Sequence, residues 1–239
     1  MKLSLITKVD EAKGTKSFFW KPDKPVNFIP GQYLYFTLPQ LNYPDPKGAT
    51  RHFTISSSPT EGELLRLTTR IREESGYKKT LDELPLGYEI DADGPQGTFI
   101  FDEKEPGPHI FIAGGIGITP FRSMIKYAVD KNLPTPIHLI YSNSLPEEIA
   151  FRKELLEIAK TRPTIKVDMT VSKPEESKEA WDGITGRIDE NLIHKLTADY
   201  VNPTFWLCGP PAMIDAMEQT LGKLNISSGR VRSEKFTGY

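Results

Sequence analysis

The stretch Phe111-Ile112-Ala113-Gly114-Gly115-Ile116-Gly117-Ile118-Thr119-Pro120-Phe121 sets three glycines between an apolar run and a helix-starting pattern. Gly114, Gly115 and Gly117 let the backbone turn tightly and approach a ligand without Cβ atoms in the way. Thr119 is expected to cap the helix and Pro120 to take its first position, where a missing N–H has no partner to lose. Free amides around Ile118 and the positive end of the helix dipole then converge on one spot suited to a pyrophosphate. A second run, Arg51-His52-Phe53-Thr54-Ile55-Ser56-Ser57-Ser58-Pro59, offers a cation that can grip a phosphate in bidentate fashion, an aromatic face and a hydroxyl. In an extended strand Arg51 and Phe53 share one face and Thr54 the other, so all three serve one ligand only near a strand end. An amphipathic strand followed by a serine turn would show the same residues. The third run is Cys208-Gly209-Pro210-Pro211-Ala212-Met213, which holds the only cysteine. Its thiol is either a small buried hydrophobe or a group set beside a ligand.

These groups need elements that bring them together. Residues 1 to about 103 read as short strands punctuated by turns such as Lys21-Pro22-Asp23-Lys24-Pro25, with one short helix near Tyr77 to Leu84. Many short strands at this spacing suggest a small antiparallel barrel. Glu103-Lys104-Glu105-Pro106-Gly107-Pro108 reads as a linker. Beyond it strands and helices alternate: His109–Ala113, helix Pro120–Asp130, Ile137–Tyr141, helix Pro146–Ala159, Ile165–Val171, helix Asp189–Lys195, Thr204–Leu207 and helix Pro210–Leu221. Such alternation makes βαβ units and a parallel sheet that takes ligands at the carboxyl ends of its strands.

Composition narrows the classes. Net charge is −2, with 38% hydrophobic and 26% charged residues, which describes a globular protein and gives no basic block for nucleic acid. No apolar run reaches a membrane span and the first residues do not form a signal peptide, so a cytoplasmic protein is expected. One cysteine excludes an internal disulfide and a four-thiolate cluster within these 239 residues. The four histidines lack metal-ligand spacing and there is no Gly-x-Ser-x-Gly elbow, so neither a metal site nor a serine nucleophile is expected.

Together with Gly94-Pro95-Gln96-Gly97-Thr98-Phe99, the three runs occur in the order seen in the ferredoxin-NADP reductase-like flavoproteins, and the chain resembles that family from its first strand to its last residue. The resemblance implies two domains: an antiparallel β-barrel that binds FAD at residues 1–103, and an α/β parallel-sheet domain that binds NAD(P) at residues 108–239. It places Arg51 and the adjoining His52 at the FAD pyrophosphate, Phe53 where a tyrosine commonly stacks on the isoalloxazine, and Thr54 near flavin N5. Phe53 keeps the aromatic face and lacks the phenolic hydrogen bond. Arg70 to Leu81 resembles the family's second flavin stretch, in which Gly76 opens a short helix. The amides from Tyr77 to Thr80 and the Thr80 hydroxyl would contact phosphate, with Lys78 or Lys79 either adding field or serving as ordinary surface lysines. Gly114, Gly115, Gly117, Ile118, Thr119 and Pro120 would hold the nicotinamide dinucleotide, and Cys208 with Gly209 and Pro210 would sit beside nicotinamide C4. Glu234 resembles a carboxylate near the active site; Tyr239 either covers the flavin face or belongs to a frayed end.

The activity implied is an FAD-dependent NAD(P)H oxidoreductase without an iron–sulfur domain. It would pass electrons to a ferredoxin, a flavodoxin, an oxygenase component or a small acceptor. A reductase of free flavin or ferric chelates, and an electron-transfer subunit of a larger complex, are the alternatives. Serines and an asparagine follow the second strand of the nucleotide domain, where an arginine often meets the NADPH 2′-phosphate, although Arg122, Arg152 or Arg187 could fold back to it. Of NADH and NADPH, the balance is toward NADH.

Overall fold

The computed structural model describes residues 1–237. Its first half is a six-stranded antiparallel sheet made of β1 (Lys2–Ala12), β2 (Thr15–Pro22), β3 (Tyr33–Thr37), β4 (Thr50–Thr54), β5 (Leu65–Arg70) and β6 (Glu89–Gln96), in the order β4-β3-β6-β1-β2-β5. The end strands β4 and β5 meet through an antiparallel bridge between Ile55 and Leu67, and Ser56 N–H donates to Arg66 O at 2.8 Å. The sheet thereby closes into a barrel. Alternation decides which side chains fill it: Leu34 and Phe36 of β3 point inward while Tyr33 and Tyr35 point outward. Trp20, Phe18 and Leu67 complete this core.

One end of the barrel is plugged by helix α1 (Gly76–Glu83), whose N-cap Ser75 accepts from Lys78 N–H. Tyr77 drives the plug. Its ring is fully buried in the barrel core and its hydroxyl donates to Phe36 O at 3.0 Å, which satisfies the one polar atom the burial would otherwise strand.

Residues 97–108 carry no helix or strand and lead to β7 (His109–Gly114). There follow α2 (Ile118–Asp130), β8 (Ile137–Asn143), α3 (Arg152–Thr161), β9 (Ile165–Val171), β10 (Ile184–Thr185), α4 (Glu190–Thr197), β11 (Thr204–Gly209), α5 (Pro211–Lys223) and β12 (Val231–Lys235). The six strands are parallel in the order β10-β9-β8-β7-β11-β12. Every residue of β7 is buried, as a central parallel strand requires. The chain leaves β7 for β8 and β9 on one side and returns to β11 on the other, so a crevice opens between the carboxyl ends of β7 and β11.

Three local expectations need correction. Helix α2 starts at Ile118 with Gly117 as an N-cap that has no side-chain cap; a 3₁₀ turn over Gly115–Gly117 feeds straight into it. Thr119 therefore lies inside the helix and its hydroxyl donates to Ile116 O at 3.1 Å. The helix expected over Pro146–Ala159 is split into a 3₁₀ turn at Pro146–Glu148 and α3, because Phe151 takes a left-handed conformation with φ of 58°. Finally, β12 adds a strand after the last expected helix, pairing with β11 from Phe205 and Val231 to Gly209 and Lys235.

Candidate functional site

The crevice is a cavity of about 340 Å³ whose floor is the glycine turn and whose far wall is Gly209-Pro210-Pro211. The turn packs closely because side chains are missing: a Cβ on Gly114 would lie 2.2 Å from Met213 Sδ, and one on Gly117, which is not itself a lining residue, would lie 2.2 Å from Cys208 O. Gly115 has φ of 52° and faces the Arg70 guanidinium, which reaches over from the barrel and pairs with Glu148 at 3.4 Å. Arg72 lines the same cavity, and its Nε is buried with no hydrogen-bond partner among the described residues.

A second cavity of about 50 Å³ lies on the barrel side, lined by Arg51, His52, Phe53, Thr54, Lys78 and Thr119 among others. Phe236 and Thr237 line both cavities, so the residues just after β12 form the partition between them. Lys78 is almost fully buried; burial, and then the neighbouring Arg72, Arg51 and Lys47, lower its pKa to about 8. So many cations around one small space make it suited to an anion.

Beside this cavity, Arg51 and the start of α1 already hold a carboxylate. Asp45 Oδ2 accepts from Tyr77 N–H at 2.9 Å and from the Ser75 hydroxyl at 3.0 Å, while its Oδ1 meets the Arg51 guanidinium. Burial pushes the Asp45 carboxyl up, and its hydrogen bonds with Tyr77, Lys47 and Ser75, aided by Arg51, outweigh this and hold it below the ordinary carboxylate range. Arg51 also donates to the carbonyls of Lys47 and Thr50, each at 2.7 Å. A strap over residues 42–48 thus lies across the start of α1, and a Cβ on Gly76 would meet Pro44 O at 2.3 Å.

Beyond the partition, Cys208 and Glu234 are register partners on β11 and β12. Burial raises the Glu234 carboxyl to about 7, and its Oε2 has no hydrogen-bond partner among the described residues. Burial, and then the nearby Glu234, push the fully buried Cys208 thiol well up. Both effects favour the neutral thiol over the thiolate.

Residues 2–101 match the oxidoreductase FAD-binding domain family and residues 111–219 the oxidoreductase NAD-binding domain family. The chain belongs to the ferredoxin-NADP reductase-like flavoproteins. It is similar to the glycine betaine monooxygenase reductase subunit of Chromohalobacter salexigens, with 26% identity over 95% of this chain and 62% of that protein. It is 30% identical to NADH-cytochrome b5 reductase 1 of Aspergillus oryzae over 77% of this chain and 65% of the relative. Among solved structures it shares the fold of the Amycolatopsis cytochrome P450 reductase GcoB, with a TM-score of 0.83 and 23% identity over 99% of this chain and 70% of that one. The chain spans 58–66% of the length of the first curated relatives it matches.

Within this flavoprotein the structure gathers most of the sequence-derived candidates, though in a different grouping. Arg51, His52, Phe53, Thr54, Lys78 and Thr119 share the small cavity; Arg70, Gly114, Gly115, Gly209 and Pro210 share the large one. Arg70 is thus grouped with the glycine turn and apart from Arg51. Phe53 sits mostly in the barrel core, edge-on to Phe36 at 5.8 Å, and only its margin reaches the cavity. The Thr80 hydroxyl is spent on Gly76 O at 2.8 Å and Asn42 N–H at 2.9 Å, and Lys79 turns to the Tyr43 ring at 4.3 Å. Ile118, Pro120 and Cys208 are buried behind the turn and line neither cavity. Tyr239 lies outside the described residues. Sequence reasoning missed Phe236, Thr237, Arg72, Thr68 and Asp45. For Phe236 a signal existed: it follows Glu234 at the spacing of two that keeps strand residues on one face.

Proposed function

We propose that this chain is an NAD(P)H-dependent flavoprotein reductase that takes two electrons from the nicotinamide and passes them to a protein acceptor. The observation that carries the reading is the partition: a glycine-floored crevice and a cation-lined cavity separated by Phe236 and Thr237. The residues fit the two nucleotides. The buried Arg72 Nε has no partner among the described residues, Gly76 and Gly117 leave no room for a Cβ, and the charges about Lys78 favour phosphate. Bound flavin and nicotinamide supply the hydride chemistry. The chain would position and shield them: Arg51, Lys78 and the start of α1 toward the FAD phosphates, Thr54 and Phe53 toward the ring, and Gly114 to Gly117 with Arg70 toward the dinucleotide. Cys208 packs behind the nicotinamide subsite, and Glu234, near neutrality in pKa, can hold or release a proton there.

NADH is the preferred donor in this reading. Ser142-Asn143-Ser144 close β8 and lead into the Pro146–Glu148 turn, and no arginine or lysine stands in this stretch to pair with a 2′-phosphate. Two of the three arginines that could answer that phosphate are engaged, Arg122 with Glu61 and Glu154 and Arg152 with Glu179; Arg187 is the third. The acceptor is an oxygenase component or its ferredoxin, in keeping with the reductase subunit named for a relative, and the compartment is the cytoplasm. The test is an anaerobic half-reaction of FAD-supplemented protein. NADH should bleach the flavin band faster than NADPH, and Cys208→Ala should slow bleaching while leaving FAD content unchanged. Protein that retains no FAD, or a flavin band that neither nucleotide bleaches, overturns the reading.

A further inference from the structure

The barrel and the parallel sheet meet along a seam of buried charge. Arg122 of α2 is only 4% exposed. Its Nη2 donates to Glu61 Oε1 at 2.7 Å and to Glu154 Oε1 at 2.5 Å, and its Nη1 donates to Ser56 O at 3.0 Å. Arg66, from β5, meets Glu11 of β1 and reaches Glu154 at 3.8 Å. The Phe151 ring packs against both guanidiniums, 4.6 Å from that of Arg66 and 5.8 Å from that of Arg122. One residue along α2, the Ser123 hydroxyl donates to Ser57 O at 2.7 Å.

Those contacts fall at informative places. Ser56 and Ser57 come two and three residues after Thr54, the last residue of β4; Arg122 and Ser123 lie in the first turns of α2, three and four residues after Thr119. Thr54 and Thr119 both line the small cavity. The seam thus ties the strand end that borders the flavin side to the helix that grows out of the glycine turn. Domains joined by an ordinary linker move relative to one another by default, and a misplacement of about 1 Å can cost on the order of a hundredfold in rate.

We propose that Arg122, gripped by Glu61 and Glu154, is a positioning residue that fixes the separation of the two ligand sites by locking α2 to the Ser56–Ser57 backbone. The proposal rests on the reductase reading above. None of the three need touch either nucleotide. They act through the register of Thr54 against Thr119, and two carboxylates on adjoining edges of one guanidinium make the lock directional, since Glu61 belongs to the barrel side and Glu154 to the sheet.

The test uses the full chain. Glu61→Gln keeps the shape and removes one charge; Arg122→Lys keeps the charge and loses the fork. In wild type the two halves should unfold in one calorimetric transition, and in Glu61→Gln in two, with faster amide exchange at residues 56–58 and 118–124. FAD and NAD⁺ affinities should stay within about twofold, while flavin reduction by NADH falls tenfold or more in Glu61→Gln and about threefold in Arg122→Lys. Reduction within twofold of wild type in both variants overturns the proposal, as does an equal loss of rate and of FAD affinity. Calorimetry and exchange need no cofactor. If wild type binds no FAD, the reductase reading fails alone, and unchanged unfolding and exchange in Glu61→Gln would then overturn the lock separately.

Discussion

Two helix starts face the paired cavities, and they are finished in opposite ways. At α2 the N-cap Gly117 offers no side-chain acceptor and no acidic residue stands in the first turn, so shape alone, set by glycines against the Cys208 backbone, defines what can approach. At α1 the Ser75 side chain takes Lys78 N–H, and Asp45 takes Tyr77 N–H and the Arg51 guanidinium. Both obey the rule that helix N-termini attract anions. The first is a rigid mould cut into a central sheet; the second already holds a carboxylate, so a phosphate is admitted by competition with it.

The largest effect that could break this contrast is steric. In Gly117→Ala the Cβ would sit 2.2 Å from Cys208 O and 2.5 Å from its carbonyl carbon, on a central strand that cannot retreat. The expected cost is about 3 kcal/mol or more in thermal or urea unfolding, with NAD⁺ binding abolished. In Gly76→Ala the clash is with Pro44 O at 2.3 Å and Tyr43 O at 2.6 Å, on a largely exposed strap that can move, so about 1–2 kcal/mol is expected. Equal costs at the two positions would make the strap as stiff as the sheet and dissolve the distinction.

A charge change sharpens it further. Asp45→Asn keeps the size of the side chain and removes its competition for Arg51 and the Tyr77 amide, so FAD should bind about tenfold more tightly, roughly 1.4 kcal/mol, with NAD⁺ affinity unmoved. Weaker FAD binding in an equilibrium titration would show that Asp45 orders the donors instead of rivalling the ligand.

The smallest effect concerns pH. Lys78 has a pKa lowered to about 8 by burial and by its cationic neighbours, and a phosphate beside it favours the charged form and raises that value in the complex. Below pH 8 the ammonium is already charged before binding. Above it, binding must take up a proton, so FAD affinity should fall three- to tenfold per pH unit between 8 and 9 and be level from 6 to 7. Lys78→Met should flatten the profile; a slope that survives the substitution belongs to another group.

Periodicity and turn chemistry made much of this molecule readable in advance. The regular alternation of strand and helix signals after residue 108 foretold the parallel sheet, and the apolar run ending in glycines foretold the crevice floor. The unread parts depend on partners far away in sequence. Nothing local says that Phe151 breaks its helix to pack against Arg66 and Arg122, since Ile149, Ala150, Phe151 and Leu155 also carry a helical apolar spacing. Thr119 looked like a cap because the rule assumes a helix that begins on a hydroxyl residue, and the 3₁₀ turn before it removed the need. Asp45 stands 30 residues from Ser75, and no spacing in a loop forecasts which helix end its carboxylate will reach.

The seam between barrel and sheet has a consequence for how such a chain can be recombined. Residues 102–108 look like a natural place to splice one nucleotide-binding half onto another barrel. A graft made there would leave Glu11, Glu61 and Arg66 facing a foreign surface without Arg122, Phe151 and Glu154, and buried charge stripped of its partner is costly. A working hybrid has to carry the matching half of that ionic stitch with it, so what can be exchanged between relatives is the pair of complementary edges, and the domain comes along as its support.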